Sequence, residues 1–286
     1  METTIERLKE EVQQVLTTNI LPYWIEKMQD RGNGGFYGRI TGQECLVAEA
    51  EKGAVMNARI LWTFSAAYRL LHKTEYLEIA TRAKREIIDR FYDTQFGGVY
   101  WSIDAHGQPL DTKKQVYAIG FAIYGLSEYH RATADDEALE YAVRLFHDIE
   151  LHCFDKGKNG YYEAFSREWG EIADMRLSDK DANERKTMNT HLHILIRLFI
   201  DEIMDMDTRH LQLFFDDNWR SNYHIISYGH DIEASWLIHE AALVLADRQL
   251  LTEIEMYIVE MAEAAAEGFL SDGGMIYELR TDSSSI

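Results

Sequence analysis

Histidine titrates near neutral pH, which makes it the first side chain to examine for proton transfer. The chain has 11 histidines. Most of them, such as His72, His106, His130 and His147, stand singly among surface-type residues and read as ordinary surface or helix-end histidines. Two segments differ. The first is SYGHDIEASW, Ser227 to Trp236. Gly229 ends an irregular stretch and the acidic Asp231 and Glu233 open a helix, so His230 falls at or near the helix N-terminus. There the positive end of the helix dipole disfavours imidazolium and helps keep a neutral base. Glu233 is three residues on and shares the helical face, where it can orient the ring or hold a hydroxyl. A helix cap with acidic first-turn residues explains the same letters equally well.

The second segment is TMNTHLH, Thr187 to His193. Asn189 and His193 are four apart and share a face, while His191 points elsewhere. A His-x-His pair on one helix does not converge on a single ion, so no metal is expected. The bland reading of His193 is a hydrogen-bonded core histidine. Arg59 is a third candidate. It sits among Ala54, Val55, Met56, Ala58, Ile60, Leu61 and Trp62, and a charge on an apolar inner helix must face a cavity or a carboxylate. Tyr117, near the start of the corresponding helix of the next pair, is placed to line the same cavity. The 6 tryptophans and 16 tyrosines suit a sugar site, because apolar sugar faces stack on rings. An aromatic core accounts for most of them as well.

These residues are positioned by a repeat. NGGFYG at Asn33–Gly38, GGVYW at Gly97–Trp101, NGYYEAF at Asn159–Phe165 and GGMIYE at Gly273–Glu278 each read as a turn followed by a short aromatic strand. Gly35, Gly98 and Gly160 lie 63 and 62 residues apart, and Gly274 follows 114 later, with LQLFFDD at Leu211–Asp217 as a degenerate copy between. Helical periodicity fills the intervals: Val55 to Leu71, Glu75–Tyr92, Gln115–His130, Asp135–Leu151, Asp231–Ala246 and Arg248–Phe269. The unit is helix, helix, hairpin. The predicted fold is therefore all-α, an (α/α) toroid with the hairpins at one end, in a single domain over residues 1–286. Between Lys186 and Met206 the pattern supplies one helix where two are expected, roughly twenty residues short of the other units. The chain stops just after a hairpin, where a further pair would be needed to close a six-pair ring.

Composition narrows the partners. The net charge of −20 argues against nucleic-acid and anionic-membrane surfaces. No apolar run approaches the ~20 residues of a membrane span, and the N-terminus has no signal-peptide core. Cys45 and Cys153 have no metal spacing and read as reduced thiols, which points to the cytoplasm. There is no Walker loop, no G-x-G-x-x-G after a strand and no G-x-S-x-G elbow.

The stretches GGFYG, MNARILWTFSAAY, GGVYW, VYAIGFAIYGLSEYHRAT, YYEAFSREW, MNTHLH and SYGHDIEASWLIHEA run in one order from residue 20 or so to the end. Together they resemble the N-acylglucosamine 2-epimerase superfamily, whose fold is an (α/α)6 toroid. The resemblance implies a sugar 2-epimerase that needs no cofactor and no metal. Its substrate would be a small-molecule sugar, a cellobiose-type β-1,4 disaccharide, with C2 of the reducing-end glucose inverted through a cis-enediolate. It places His230 as one acid/base histidine, Arg59 as the group that stabilises the enediolate and His193 at the anomeric oxygens. Glu233, Tyr117 and Asn189 match substrate-pocket residues. The family's second acid/base histidine lies in C-terminal helices beyond Ile286. Within the family, an N-acyl-D-glucosamine 2-epimerase or an aldose–ketose isomerase is the rival. Outside it stand a glycoside hydrolase, which needs two flanking carboxylates, and a non-catalytic sugar-binding toroid. The resemblance leaves monomer or homodimer open.

Overall fold

The computed structural model describes residues 2–192, 202–245 and 248–280. The helices, in chain order, are α1 (Glu2–Val15), α2 (Leu21–Lys27), α3 (Ala54–Leu71), α4 (Thr74–Glu86), α5 (Val116–Thr133), α6 (Asp136–His152), α7 (Met188–Leu192), α8 (Tyr228–Leu245) and α9 (Arg248–Ala266). The strands among the described residues are two or three residues long. Helix bounds follow the periodicity to within a turn: α5 runs on to Thr133, α8 starts at Tyr228 and α9 ends at Ala266, while α4 ends at Glu86 and continues as a π-helical turn, Ile87–Phe91. The expected helix over Lys186–Met206 is met by α7 at Met188–Leu192, and residues 193–201 lie outside the described residues.

The chain forms two compact units, residues 1–114 with 121–146, and residues 115–120 with 147–286. In the first unit, α3 packs along α4 around Leu61, Phe64, Tyr76 and Ile87, none more than 2% exposed. The apolar stripes of two amphipathic helices meet there and leave the charged faces outside. Gly125 of α5 lies against α3 so closely that a Cβ would sit 2.8 Å from the Ala58 carbonyl. Asp135 starts α6 by accepting the Ala138 N–H at 2.8 Å, and its other carboxylate oxygen takes the Lys84 ammonium at 2.8 Å. The second unit has its own core, built from Tyr161, Phe214, Phe215, Ile238, Ile254 and Met261.

The hairpins are one repeated device. Five copies occur among the described residues, marked by the bridges Gln29–Phe36, Tyr92–Val99, Phe154–Tyr161, Met204–Leu211 and Phe269–Met275. In the first four, an aspartate at the head of the turn donates its N–H to the carbonyl five residues on: Asp30 to Gly35, Asp93 to Gly98, Asp155 to Gly160 and Asp205 to His210. The fourth copy is the degenerate one, with Leu211 opening its returning strand. In the first three copies two successive residues take positive φ, for example Asn159 and Gly160 at 63° and 79°. In the fourth only Arg209 does, at 65°, so His210 can occupy a position held elsewhere by glycine.

Each of the first three turns is clasped to the start of the next inner helix by a buried ion pair. Lys52 Nζ meets Asp30 Oδ2 at 3.0 Å, Lys114 meets Asp93 at 2.9 Å, and Lys186 meets Asp155 at 3.0 Å, with each lysine at most 1% exposed. Lys52 and Lys186 also donate to turn carbonyls, of Gly34 at 2.8 Å and Asn159 at 2.6 Å. Lys114 and Lys186 lie over the rings of Tyr100 and Trp219 at 4.9 and 5.0 Å. Buried ions need this density of partners to offset lost hydration. Each lysine stands two residues before its helix: Lys52 before α3, Lys114 before α5 and Lys186 before α7.

Removing one partner strands the other as a buried charge. Lys114→Met should lower the unfolding free energy by about 3–5 kcal/mol in urea titration, and a loss below about 1 kcal/mol would contradict the clasp. The clasps also tie stability to acid. Burial works against ionisation of Asp30 and Asp155, but backbone N–H groups and the lysines outweigh it and hold both carboxyls below the ordinary value of 3.8. Their contribution is therefore present above that value and should be lost as pH falls through the lower native values, read as the acid limb of a melting-temperature profile.

Candidate active site

The clasps set the register of the helices that carry the candidate residues. Arg59 is seven residues after Lys52, and Tyr117 is three after Lys114. Asn189 and His193 are three and seven after Lys186. In the fourth unit Ile226 holds the equivalent place, and His230 and Glu233 follow four and seven residues later. A side chain at a fixed distance from an anchored helix start emerges at a fixed height and angle.

In the first unit Arg59 is exposed on α3, with its guanidinium 4.7 Å from the centroid of the Phe121 ring. The charge expected on an apolar helix is thus not buried, and it rests on an aromatic face. One turn on, Trp62 and Tyr124 stack at 5.1 Å with ring planes 12° apart. A cleft of about 570 Å³ opens at the first turn of α3, lined by Arg39, Val47, Glu51, Val55, Met56 and Trp101 among others. That volume lies in the range of small-molecule sites.

In the second unit α8 starts at Tyr228, three residues earlier than the acidic pair suggested, so His230 is the third residue of the helix. It is half-buried, and its Nδ1 lies 2.8 Å from Oγ of the buried Ser227. A serine hydroxyl both donates and accepts, so the same contact serves either tautomer of the ring. Nε2 is then the nitrogen left to take or give a proton. Glu233 is half-buried one turn on. Asp231 is not part of that face: it is fully buried and bound to His210 and to the Leu211 N–H. This removes one of the two carboxylates a hydrolase would require on α8.

Tyr117 and Asn189 are half-buried in the first turns of α5 and α7. A residue that the sequence reading missed joins those two helix starts. Glu163 is 1% exposed, accepts from Gln115 Nε2 at 3.1 Å and from Thr187 Oγ1 at 2.7 Å, and its carbonyl takes the Val116 N–H. Gln115 and Thr187 each precede a candidate residue by two positions. Burial pushes the Glu163 carboxyl up, against the hydroxyl and amide donors that hold it down. The signal was present in YYEAF, a lone acidic residue within an aromatic strand.

His193 lies outside the described residues. His191, next but one, is structural. It is fully buried, its Nδ1 donates to the Thr187 carbonyl at 2.6 Å, and its Nε2 accepts the Tyr161 N–H at 2.8 Å. Trp219 packs edge-on to it at 4.9 Å. Burial, with the Lys186 charge nearby, pushes the imidazole down to about 4 against the Thr187 carbonyl. The unfolded chain takes up that proton near the ordinary value of 6.5, and the native ring does so only near 4. The stability His191 provides is therefore complete above about pH 6.5 and is lost as pH falls toward 4. Nitrogen-15 spectra should show His191 as the neutral Nδ1–H tautomer at pH 5; an imidazolium there would contradict this assignment.

Comparison with known proteins follows these lines. The family model described as N-acylglucosamine 2-epimerase (GlcNAc 2-epimerase) matches residues 35–285. The cellobiose 2-epimerase of Bacteroides fragilis is 65% identical over 295 residues, covering 96% of this chain and 75% of its own length. A cellobiose 2-epimerase of Ruminococcus albus is 38% identical over 287 residues, covering 93% and 73%. The solved cellobiose 2-epimerase of Bacillus thermoamylovorans matches with a TM-score of 0.89 at 37% identity, over 98% of this chain and 76% of that one. The chain thus shares the (α/α)-toroid fold of these structures and spans about three quarters of their length. A D-mannose isomerase, at 16% identity and a TM-score of 0.71, shares the fold alone.

Proposed function

The chain belongs to the N-acylglucosamine 2-epimerase family, and on that premise we propose that it inverts C2 of the reducing-end glucose of cellobiose and related β-1,4 disaccharides. The observation that carries the reading is the 65% identity to a cellobiose 2-epimerase across 96% of the chain.

The chemistry is proton transfer. Ring opening exposes the C1 aldehyde, whose carbonyl acidifies the C2 proton. A base removes that proton to give a cis-enediolate, and a proton returned to the opposite face gives the mannose configuration. His230 is assigned as one acid/base group. Its place at the start of α8 and its contact with Ser227 support the reading, since the hydroxyl orients the ring through Nδ1 and leaves Nε2 to exchange a proton. Arg59 is assigned to the enediolate oxygens. An exposed guanidinium over an aromatic ring supports that role, because a fixed positive charge with planar N–H donors suits a developing oxyanion. Glu233, Tyr117 and Asn189 are assigned to sugar hydroxyls, and His193 to the anomeric oxygens by its place in MNTHLH alone. Inversion also requires a second base on the opposite face of C2.

The sugar is the partner. Among the described residues no helix is long and apolar enough to cross a membrane. The cytoplasm is the proposed compartment, in keeping with two free thiols, Cys45 and Cys153.

Incubation with cellobiose in D2O, followed by NMR at the reducing end, tests the reading. The expected product is 4-O-glucosyl-mannose carrying deuterium at C2, with His230→Asn at least about 100-fold slower. A ketose product would move the chain to the isomerases, and no exchange at C2 in folded protein would refute the epimerase reading.

A further inference from the structure

The clasp changes sign in the fourth hairpin. Asp205 still heads the turn and accepts the N–H groups of Asp207 and Thr208, each at 2.9 Å, just as Asp30, Asp93 and Asp155 do in theirs. Yet Ile226, not lysine, stands two residues before α8. The hairpin is instead docked by His210, in the glycine position of the turn, whose Nδ1 lies 2.7 Å from Asp231 Oδ2. Asp231 Oδ1 accepts the Leu211 N–H at 2.9 Å, and the His210 ring meets Tyr228 edge-on at 5.6 Å. In the first three copies the helix start supplies the cation and the turn the anion. Here the turn supplies the cation-forming group and the helix the carboxylate.

The reversal falls at the helix that carries His230. A lysine at position 226 would set a buried ammonium one turn before that imidazole and disfavour its protonation. Asp231, fully buried and next in sequence, does the opposite. Burial pushes the Asp231 carboxyl up, while His210, the Leu211 amide and the charge of His230 hold it down. Asp231 directly follows His230, so the buried carboxylate and the imidazole stand side by side on the first turn of α8. The other charged groups at the pair are Asp205 on the turn and Glu267 after α9, whose Oε2 is 3.6 Å from His210 Nε2. Arg209 is paired with Glu260 of α9 at 2.8 Å, and Glu233 is on α8 itself.

We propose that Asp231, held by His210, is a positioning residue for His230: the inverted clasp docks the hairpin while placing a carboxylate, not an ammonium, beside the proton-transfer histidine. The proposal rests on the assignment of His230 as an acid/base group.

The test compares wild type, Asp231→Asn and the double variant Ile226→Lys/Asp231→Asn, all in the full chain. The double variant supplies Asp205 with the lysine of the other units, so it restores the docking without the carboxylate. Histidine nitrogen-15 titration, with His230 assigned from its loss in His230→Asn, reads the charge coupling directly. The His230 midpoint should fall by about half to one pH unit in Asp231→Asn and at least as far in the double variant. The double variant should melt within about 2 °C of wild type. On cellobiose, kcat should fall about tenfold or more in both, with KM within about twofold.

An unmoved His230 midpoint in the folded double variant overturns the proposal. So does a kcat that recovers together with the melting temperature, which would make the pair a structural clasp alone. If wild type neither epimerises cellobiose nor exchanges its C2 proton, the function reading fails by itself, and the titration still decides whether Asp231 acts on His230.

Discussion

A lysine ammonium buried against an aspartate in a tight turn is the interaction on which this structure depends. The turn aspartate uses one carboxylate oxygen to order its own loop and the other to bind the lysine. The lysine in turn fixes where the next inner helix begins. Removing the pair from water would be unfavourable for an isolated ion pair, and here it is offset by turn carbonyls and aromatic faces around the ammonium. The result is a joint between hairpin and helix that tolerates little slippage. That matters because Arg59, Tyr117 and Asn189 sit within two turns of such a joint.

The residues near these joints divide into those that are buried in the scaffold and those that reach toward its surface. Glu163, His191 and the lysine clasps are buried with both ends of their hydrogen-bonding capacity engaged. Arg59, Tyr117, Asn189, His230 and Glu233 are half-buried or exposed, on the first two turns of their helices. His230 and His191 make the contrast plain. One ring has a hydroxyl that accepts either tautomer, and the other is locked between a carbonyl and an amide with its protonation suppressed. Proton chemistry suits the first environment and is excluded by the second.

Much of this was legible in the letters. The aromatic hairpins and the helical periodicity between them pointed to the repeating unit and the all-α class. His230 at a helix start followed from Gly229 and the acidic residues after it. The clasps did not show, because Lys52, Lys114 and Lys186 look like ordinary surface lysines and find their aspartates 21 to 31 residues away. Arg59 was expected to face a cavity or a carboxylate, and its seat over the Phe121 ring, contributed by another helix, could not be read from its neighbours in sequence. Asp231 looked like a helix-capping acid beside Glu233, and it is in fact fully committed to His210.

The sequence by itself determined the repeat, the fold class and the family, because these depend on periodicity and on motifs whose letters are contiguous. Only the tertiary structure decided which polar residues are consumed by the scaffold and which remain for chemistry. Burial and hydrogen-bond partnership arise when segments distant in the chain meet, and the same aspartate or histidine letter serves either purpose until they do.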